Sequence, residues 1–220
     1  MDLETLARED TPHGEVALVR RGEVLELVVD GTFAMDTVDT SSEVALAELA
    51  LAAHPHPGRV LVGGLGLGFT ARAVLADVRV SHVDVVELAA PLVAWAREGL
   101  VAPLRDLEGE RRRLHVADVA DVLAGWDGPR GPWDLVLLDV DNGSDFLVHA
   151  SNATLYSPAG LAVARSALAP GGALVLWSSH LAPALLRTLH EVCLDGDVVS
   201  ETVIGVQRGG RALEYAIYVL

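Results

Sequence analysis

Lysine is absent from this sequence, so its 16 basic side chains are all arginine, set against 31 acids for a formal net charge of −15. The missing lysine looks like compositional bias and carries no mechanism. The acid excess disfavours nucleic acid and anionic membrane surfaces and favours a cationic partner. With one cysteine, Cys193, an internal disulfide framework is excluded and a reducing cytoplasm is expected. Between Val192 and Leu194, Cys193 is expected to be a core thiol. No run is long and apolar enough for a bilayer, because residues 44–53 carry Glu48 and then meet His54-Pro55-His56-Pro57. The first ten residues are acidic and lack the basic and apolar regions of a signal peptide. Those two histidines have no third ligand nearby and read as a rigid loop, so no metal is expected. Repeats, interdomain linkers and low-complexity tracts are also absent.

What is present suits one α/β domain with a small appendage: 220 residues, 51% of them hydrophobic. Its centre is the stretch from Arg59 to Ala76, which reads as strand, glycine turn and helix. Val60-Leu61-Val62 is a short apolar run of the kind covered on both faces, and helical spacing begins after Gly68. Between them stand Gly63 and Gly64-x-Gly66-x-Gly68. Glycines there permit a sharp turn and close approach of a ligand, and the N–H groups opening the helix favour an anionic group. Phe69 breaks the G-x-G-x-x-G spacing of a dinucleotide loop; G-x-G-x-G instead is similar to the nucleoside loop of class I S-adenosylmethionine-dependent enzymes. The next strand, Val83-Asp84-Val85-Val86-Glu87, ends in an acid that can accept both ribose hydroxyls.

Taken in order, residues 15–20 and 23–30 form a hairpin about Arg21-Gly22, with a third extended piece at 33–35. The expected division is a short N-terminal β-element over 1–40 and a Rossmann-like nucleoside-binding domain over 41–220. Ser41 or Ser42 caps a helix that runs to the His-Pro-His-Pro brake. A helix follows from Pro91 to about Glu98, then a charged linker through Arg113 and a third strand at 114–116. Asp118, at the end of that strand, is read either as a partner of an adenine amino group or as a helix cap. A fourth strand, Trp133 to Asp139, opens into Asp139-Val140-Asp141-Asn142-Gly143-Ser144-Asp145. Such a loop can hold a cationic substrate and take a proton from an attacking amine, or be ordinary turn chemistry. Residues 158–168 form a helix, 173–177 a fifth strand, 183–192 a helix, and 198–207 with 212–220 a closing antiparallel hairpin. That layout is the class I methyltransferase fold, a mostly parallel sheet with a C-terminal hairpin. Tyr156 and Trp177 are the aromatics placed to border a substrate or the core edge, and His149 and His180 lie in strand-end loops.

The run His54-Pro55-x-Pro57-x-x-Val60-Leu61-Val62-Gly63-Gly64 resembles the approach to the central strand in spermidine synthases, the polyamine aminopropyltransferases. Glu87, Asp118, the Trp133 to Asp139 strand with its acidic loop, and Ala167-Leu168-Ala169-Pro170-Gly171-Gly172 extend that resemblance over roughly residues 32–180. It implies attack by a neutral polyamine nitrogen on the aminopropyl carbon of decarboxylated S-adenosylmethionine, releasing methylthioadenosine. By the same resemblance Gly63, Gly64, Gly66, Gly68, Glu87 and Asp118 hold the nucleoside, and Asp139 and Asp141 are catalytic. Asp139, Asn142, Asp145 and Tyr156 then face a small cationic substrate, and a homodimer is implied.

Several positions depart from that family. Asn142 stands where a second acid is usual, and no proline follows. The tyrosine and histidine of the preceding helix are missing from Asp39-Thr40-Ser41-Ser42-Glu43. Gly66 replaces an aspartate. These departures fall on the amine and propyl side of the pocket. Three readings follow: aminopropyl transfer to a diamine, methyl transfer from S-adenosylmethionine to a small acceptor, and a non-catalytic nucleoside-binding or regulatory protein. A methyl donor keeps its carboxylate and needs hydrogen-bond donors near the glycine loop, whereas the decarboxylated donor brings an ammonium and prefers an acid. The loop has no acid, which favours methyl transfer; the acidic 139–145 loop favours a cationic acceptor.

Overall fold

The computed structural model describes residues 3–140, 150–208 and 211–220. Residues 3–36 form an antiparallel meander of β1 (Leu3–Thr11), β2 (Gly14–Arg21), β3 (Val24–Val29) and β4 (Thr32–Asp36). Asp30 and Gly31 both take positive φ, as the tight β3–β4 turn demands. β1 was not anticipated from the sequence. Its residues are mostly polar and exposed, only Leu6 and Ala7 pack on the core, and a bulge between Thr5 and Ala7 breaks the alternation.

The second sheet has seven strands in the order β10-β11-β9-β8-β5-β6-β7. They are β5 (Arg59–Gly63), β6 (His82–Glu87), β7 (Arg112–Val116), β8 (Trp133–Leu138), β9 (Leu168–Ser178), β10 (Ser200–Arg208) and β11 (Arg211–Val219). β5 to β9 run parallel, and β11 and β10 finish the sheet antiparallel. Helices cover both faces: α1 (Ser41–Ala53), α2 (Phe69–Ala76) and α3 (Ala90–Glu98) on one, α4 (Val119–Leu123), α5 (Pro158–Ser166) and α6 (Pro183–Glu191) on the other. Alternate strand residues therefore feed two cores. Val60, Val62, Val83, Val85, Leu135 and Leu137 enter the first, which also receives Val16, Leu18 and Leu27 from the N-terminal sheet. Leu61, Val86, Val136 and Leu138 enter the second. This double burial is why these strands read as unbroken apolar runs.

Two local expectations are corrected. β9 begins at Leu168 and runs through Pro170-Gly171-Gly172, where a turn was expected; a shift of its pairing with β8 between Trp133 and Leu135 absorbs the irregular residues. Cys193 is half-buried, not a core thiol, and its Sγ lies 3.3 Å from the Leu189 carbonyl oxygen. Among the described residues no helix is long and apolar enough to cross a membrane, and no three His, Cys, Asp or Glu side chains gather as metal ligands.

One buried charge lies inside the sheet. Asp84, 3% exposed, has His115 Nε2 at 2.9 Å and His82 Nε2 at 3.2 Å from Oδ1, and accepts the Trp133 indole N–H at Oδ2. Burial pushes its carboxyl up, but hydrogen bonds from His115 and Trp133 and the charge of His82 outweigh it and hold the group below its ordinary value. The folded value lies below the unfolded one. The associated stability is thus present above the unfolded carboxylate's pKa and is lost as pH falls through the lower folded value. Asp84→Ala is expected to lose about 3 kcal/mol in urea denaturation at neutral pH, because three polar partners lose their acceptor. The difference from wild type should shrink below about pH 4; an equal deficit at acid and neutral pH would refute the charge-based account.

Candidate functional site

Along the chain, β5, β6 and β7 progress to one side, and β8 then returns to the other side of β5. Sequence order therefore reverses at β5, and the crevice at the carboxyl ends of β5 and β8 is where ligands dock on such sheets. A cavity opens there, walled by the glycine loop, by Glu87, Asp118 and Asp139, and by Val16, Leu27 and Met35 of the N-terminal sheet.

The three loop glycines take φ of +93°, +50° and +83° at Gly64, Gly66 and Gly68. A side chain at Gly64 would put its Cβ 2.0 Å from the Asp139 carbonyl oxygen; at Gly66, 2.6 Å from Met35 Sδ; at Gly68, 2.5 Å from Leu107 Cδ1. Sequence reasoning assigned these glycines to close approach of a ligand. Their nearest neighbours are protein atoms: Gly64 seats the loop against the end of β8, Gly66 admits Met35, and Gly68 admits the 99–111 connection. Gly63 continues β5, its amide plane aligned so that its carbonyl accepts the Asp139 N–H at 2.9 Å. α2 then starts directly from Gly68, and Met35 Sδ lies 3.1 Å from the Leu67 nitrogen.

Glu87 ends β6 and is held from both sides. Its Oε2 accepts the Leu65 N–H of the glycine loop at 2.9 Å and its Oε1 accepts the Ala89 N–H at 2.8 Å. Two backbone donors fix the rotamer, and the residue borders the cavity. Asp118 is a helix cap, its Oδ1 accepting the Ala120 N–H at 2.8 Å at the start of α4, and the residue also borders the cavity.

Asp139 follows β8, and its Oδ2 accepts the Thr70 hydroxyl of α2 at 2.7 Å. Burial in this largely apolar cavity, and then the negative charge of Glu43, push Asp139 up to about 7, against the Thr70 hydrogen bond that pulls it down. Asp139 therefore changes charge near neutrality, as a general base for an amine requires.

Other sequence-predicted residues fare differently. Asp141, Asn142, Asp145 and His149 lie outside the described residues. Tyr156 is buried in the second core with Leu155 and Leu161 and is not among the residues that border the cavity. Trp177, at the end of β9, does border the cavity. His180 lies next to Ser179, ring to hydroxyl at 3.3 Å, away from the cavity lining.

Sequence reasoning missed Met35, Thr70 and Glu43. Glu43 stands in the first turn of α1, 8% exposed, and its Oε2 accepts the Ser42 hydroxyl at 2.7 Å. It lines the cavity just described and a second, adjoining one bounded by Phe33, Trp177, Ser179, Leu213 and Tyr215. Trp177 and Tyr215 meet edge to face there, with ring centroids 5.1 Å apart. A signal existed for Glu43, an acid at the start of the helix before the central strand. Nothing in the spacing says which way it faces.

No family model matches the chain. It is 30% identical over 178 residues to the polyamine aminopropyltransferases of Mycobacterium tuberculosis and Mycobacterium bovis, a match covering 78% of the chain and 32% of those proteins. With polyamine aminopropyltransferase 2 of Caldanaerobacter subterraneus subsp. tengcongensis it shares 34% identity over 101 residues, 46% of the chain and 32% of that protein. The matches thus span about a third of the length of these curated relatives. Its fold superposes on a spermidine synthase crystallised with the transition-state analogue AdoDATO, with a TM-score of 0.80 at 16% identity, covering 98% of this chain and 73% of that one. The spermidine synthase from Thermotoga maritima gives 0.76 at 15% identity, covering 98% and 72%.

The sheet order, the closing hairpin and the switch-point cavity define an α/β protein of the class I methyltransferase fold. Within that fold, the chain is similar in sequence to part of the polyamine aminopropyltransferases and in fold to spermidine synthases.

Proposed function

We propose that this chain is a transferase that moves the aminopropyl group of decarboxylated S-adenosylmethionine to a diamine or polyamine. The observation that carries the reading is the placement, in one cavity, of Glu87 clamped by the glycine loop and of Asp139 with a carboxyl that titrates near neutrality. Glu87 accepts the ribose hydroxyls, and Asp118 accepts from the adenine amine while capping α4. The acceptor nitrogen attacks the carbon next to the sulfonium. A C–N bond forms as the C–S bond breaks, the electron pair of the latter stays on sulfur, and methylthioadenosine leaves as a neutral thioether. The new ammonium passes its proton to Asp139, whose Oδ2 the Thr70 hydroxyl orients. Apolar walls from Val16, Leu27 and Val86 exclude water, which strengthens each of these electrostatic contacts, while orientation of nitrogen against carbon supplies much of the acceleration.

Calorimetric titration with methylthioadenosine, decarboxylated S-adenosylmethionine and S-adenosylmethionine tests this reading. The expected result is binding of the first two, and turnover of the second when putrescine or another diamine is added. Turnover with S-adenosylmethionine and methylated product would move the chain to methyl transfer. Absence of binding by all three would leave only the scaffold.

A further inference from the structure

Resting on the nucleoside-site reading above, we infer that Glu43 is a specificity-determining residue, whose carboxylate pairs with the ammonium of a decarboxylated donor and turns away a donor that keeps its carboxylate. The glycine loop carries no acid, since Gly66 stands where an aspartate is usual in the resembling family, and by itself that loop favours a carboxylate-bearing donor. The fold supplies the missing charge from a different element. The first turn of α1 carries Glu43 into the cavity that also holds Gly64, Gly66, Glu87 and Asp139. The Ser42 hydroxyl donates to one of its oxygens, and the side chain is more than nine-tenths buried, so its position is set by packing.

The sign of the whole lining points the same way. Glu43, Glu87, Asp118 and Asp139 all border the cavity; among its described lining residues there is no arginine, and the chain has no lysine. His13 is the one basic side chain on that wall. A donor carboxylate entering here would meet buried negative charge with no guanidinium to accept it, whereas an ammonium would relieve the repulsion between Glu43 and Asp139 that the ligand-free protein carries. Met35 gives the geometric link. It packs on Gly66 on one side and borders both Glu43-lined cavities on the other, so the loop position that lacks an acid and the helix that provides one face a common space.

The test compares wild type, Glu43→Gln and Glu43→Asp by calorimetry with three ligands: methylthioadenosine, which has no aminopropyl group, decarboxylated S-adenosylmethionine and S-adenosylmethionine. Wild type is expected to prefer the decarboxylated donor by about 100-fold. Glu43→Gln should keep methylthioadenosine affinity within about 3-fold, as no contact to the thionucleoside is removed, and reduce that preference at least 10-fold, with Glu43→Asp recovering part of it. The inference is overturned if methylthioadenosine binds but the preference ratio is the same in wild type and Glu43→Gln, or if the substitution changes only the KM for the amine, which would place Glu43 on the acceptor. It is overturned without any variant if wild type binds both donors equally. Failure of all three ligands to bind wild type would instead remove the nucleoside-site reading, and this inference with it.

Discussion

Asp139→Asn is expected to lower kcat for aminopropyl transfer about 1000-fold while changing methylthioadenosine affinity less than 3-fold, since the amide keeps the shape of the side chain and loses only its ability to take a proton. The pH profile separates this from a general disturbance. With Asp139 pushed up to about 7 by burial and by Glu43, wild-type kcat/KM should rise with pH through a limb near neutrality. A second limb belongs to the acceptor amine, whose own pKa is about 10. In Asp139→Asn the lower limb should vanish and the upper one persist. Stability should move in the opposite sense to activity. The folded value of about 7 exceeds the ordinary 3.8, so the folded state holds this proton more tightly than the unfolded chain. That contribution is complete below about pH 4 and is lost as pH rises through 7. Urea denaturation should therefore find Asp139→Asn more stable than wild type at pH 8, by on the order of 2–4 kcal/mol, with the gap closing at pH 4. A variant that is less active and also less stable at pH 8 would show that Asp139 is a structural carboxylate.

Glu87→Ala is expected to weaken methylthioadenosine binding by about 100-fold. Hydrogen bonds to a charged acceptor are worth roughly 1.5–3 kcal/mol each, and both ribose hydroxyls are assigned to this side chain. Part of the effect is indirect, because the Leu65 and Ala89 N–H groups lose the acceptor that ties the glycine loop to the end of β6. Glu87→Gln distinguishes the two contributions: its amide oxygen keeps one backbone partner, so the loop should stay in place, yet affinity should still fall about 10-fold. Binding of methylthioadenosine by Glu87→Ala within 3-fold of wild type would mean that the ribose is held elsewhere, and the nucleoside reading would fail.

The central strands β5, β6 and β8 were readable from the sequence because they are short, apolar on both faces and followed by helical spacing, and Glu87, Asp118 and Asp139 were readable because each stands at or just beyond a strand's carboxyl end. β1 was not. Its Leu3 to Thr11 run is mostly polar and exposed, and it exists as a strand through its register with β2, not through an apolar face of its own. Tyr156, read from the sequence as bordering either a substrate or the core edge, is buried in the second core just before α5, a choice that spacing alone left open.

Local sequence determined the helices and all strands but β1 and the start of β9, and which acids stand at strand ends, since backbone preference, apolar period and the chain order of breakers act over a few residues. Only the tertiary structure decided that Met35 covers the glycine loop and that Glu43 and Thr70 face Asp139. Those interactions join residues up to 96 positions apart, as in the electrostatic influence of Glu43 on Asp139. Their consequences, a carboxyl that titrates near 7 and a cavity of one charge sign, arise from burial and mutual repulsion. Both exist only once the N-terminal meander and α1 have closed over the carboxyl ends of the sheet.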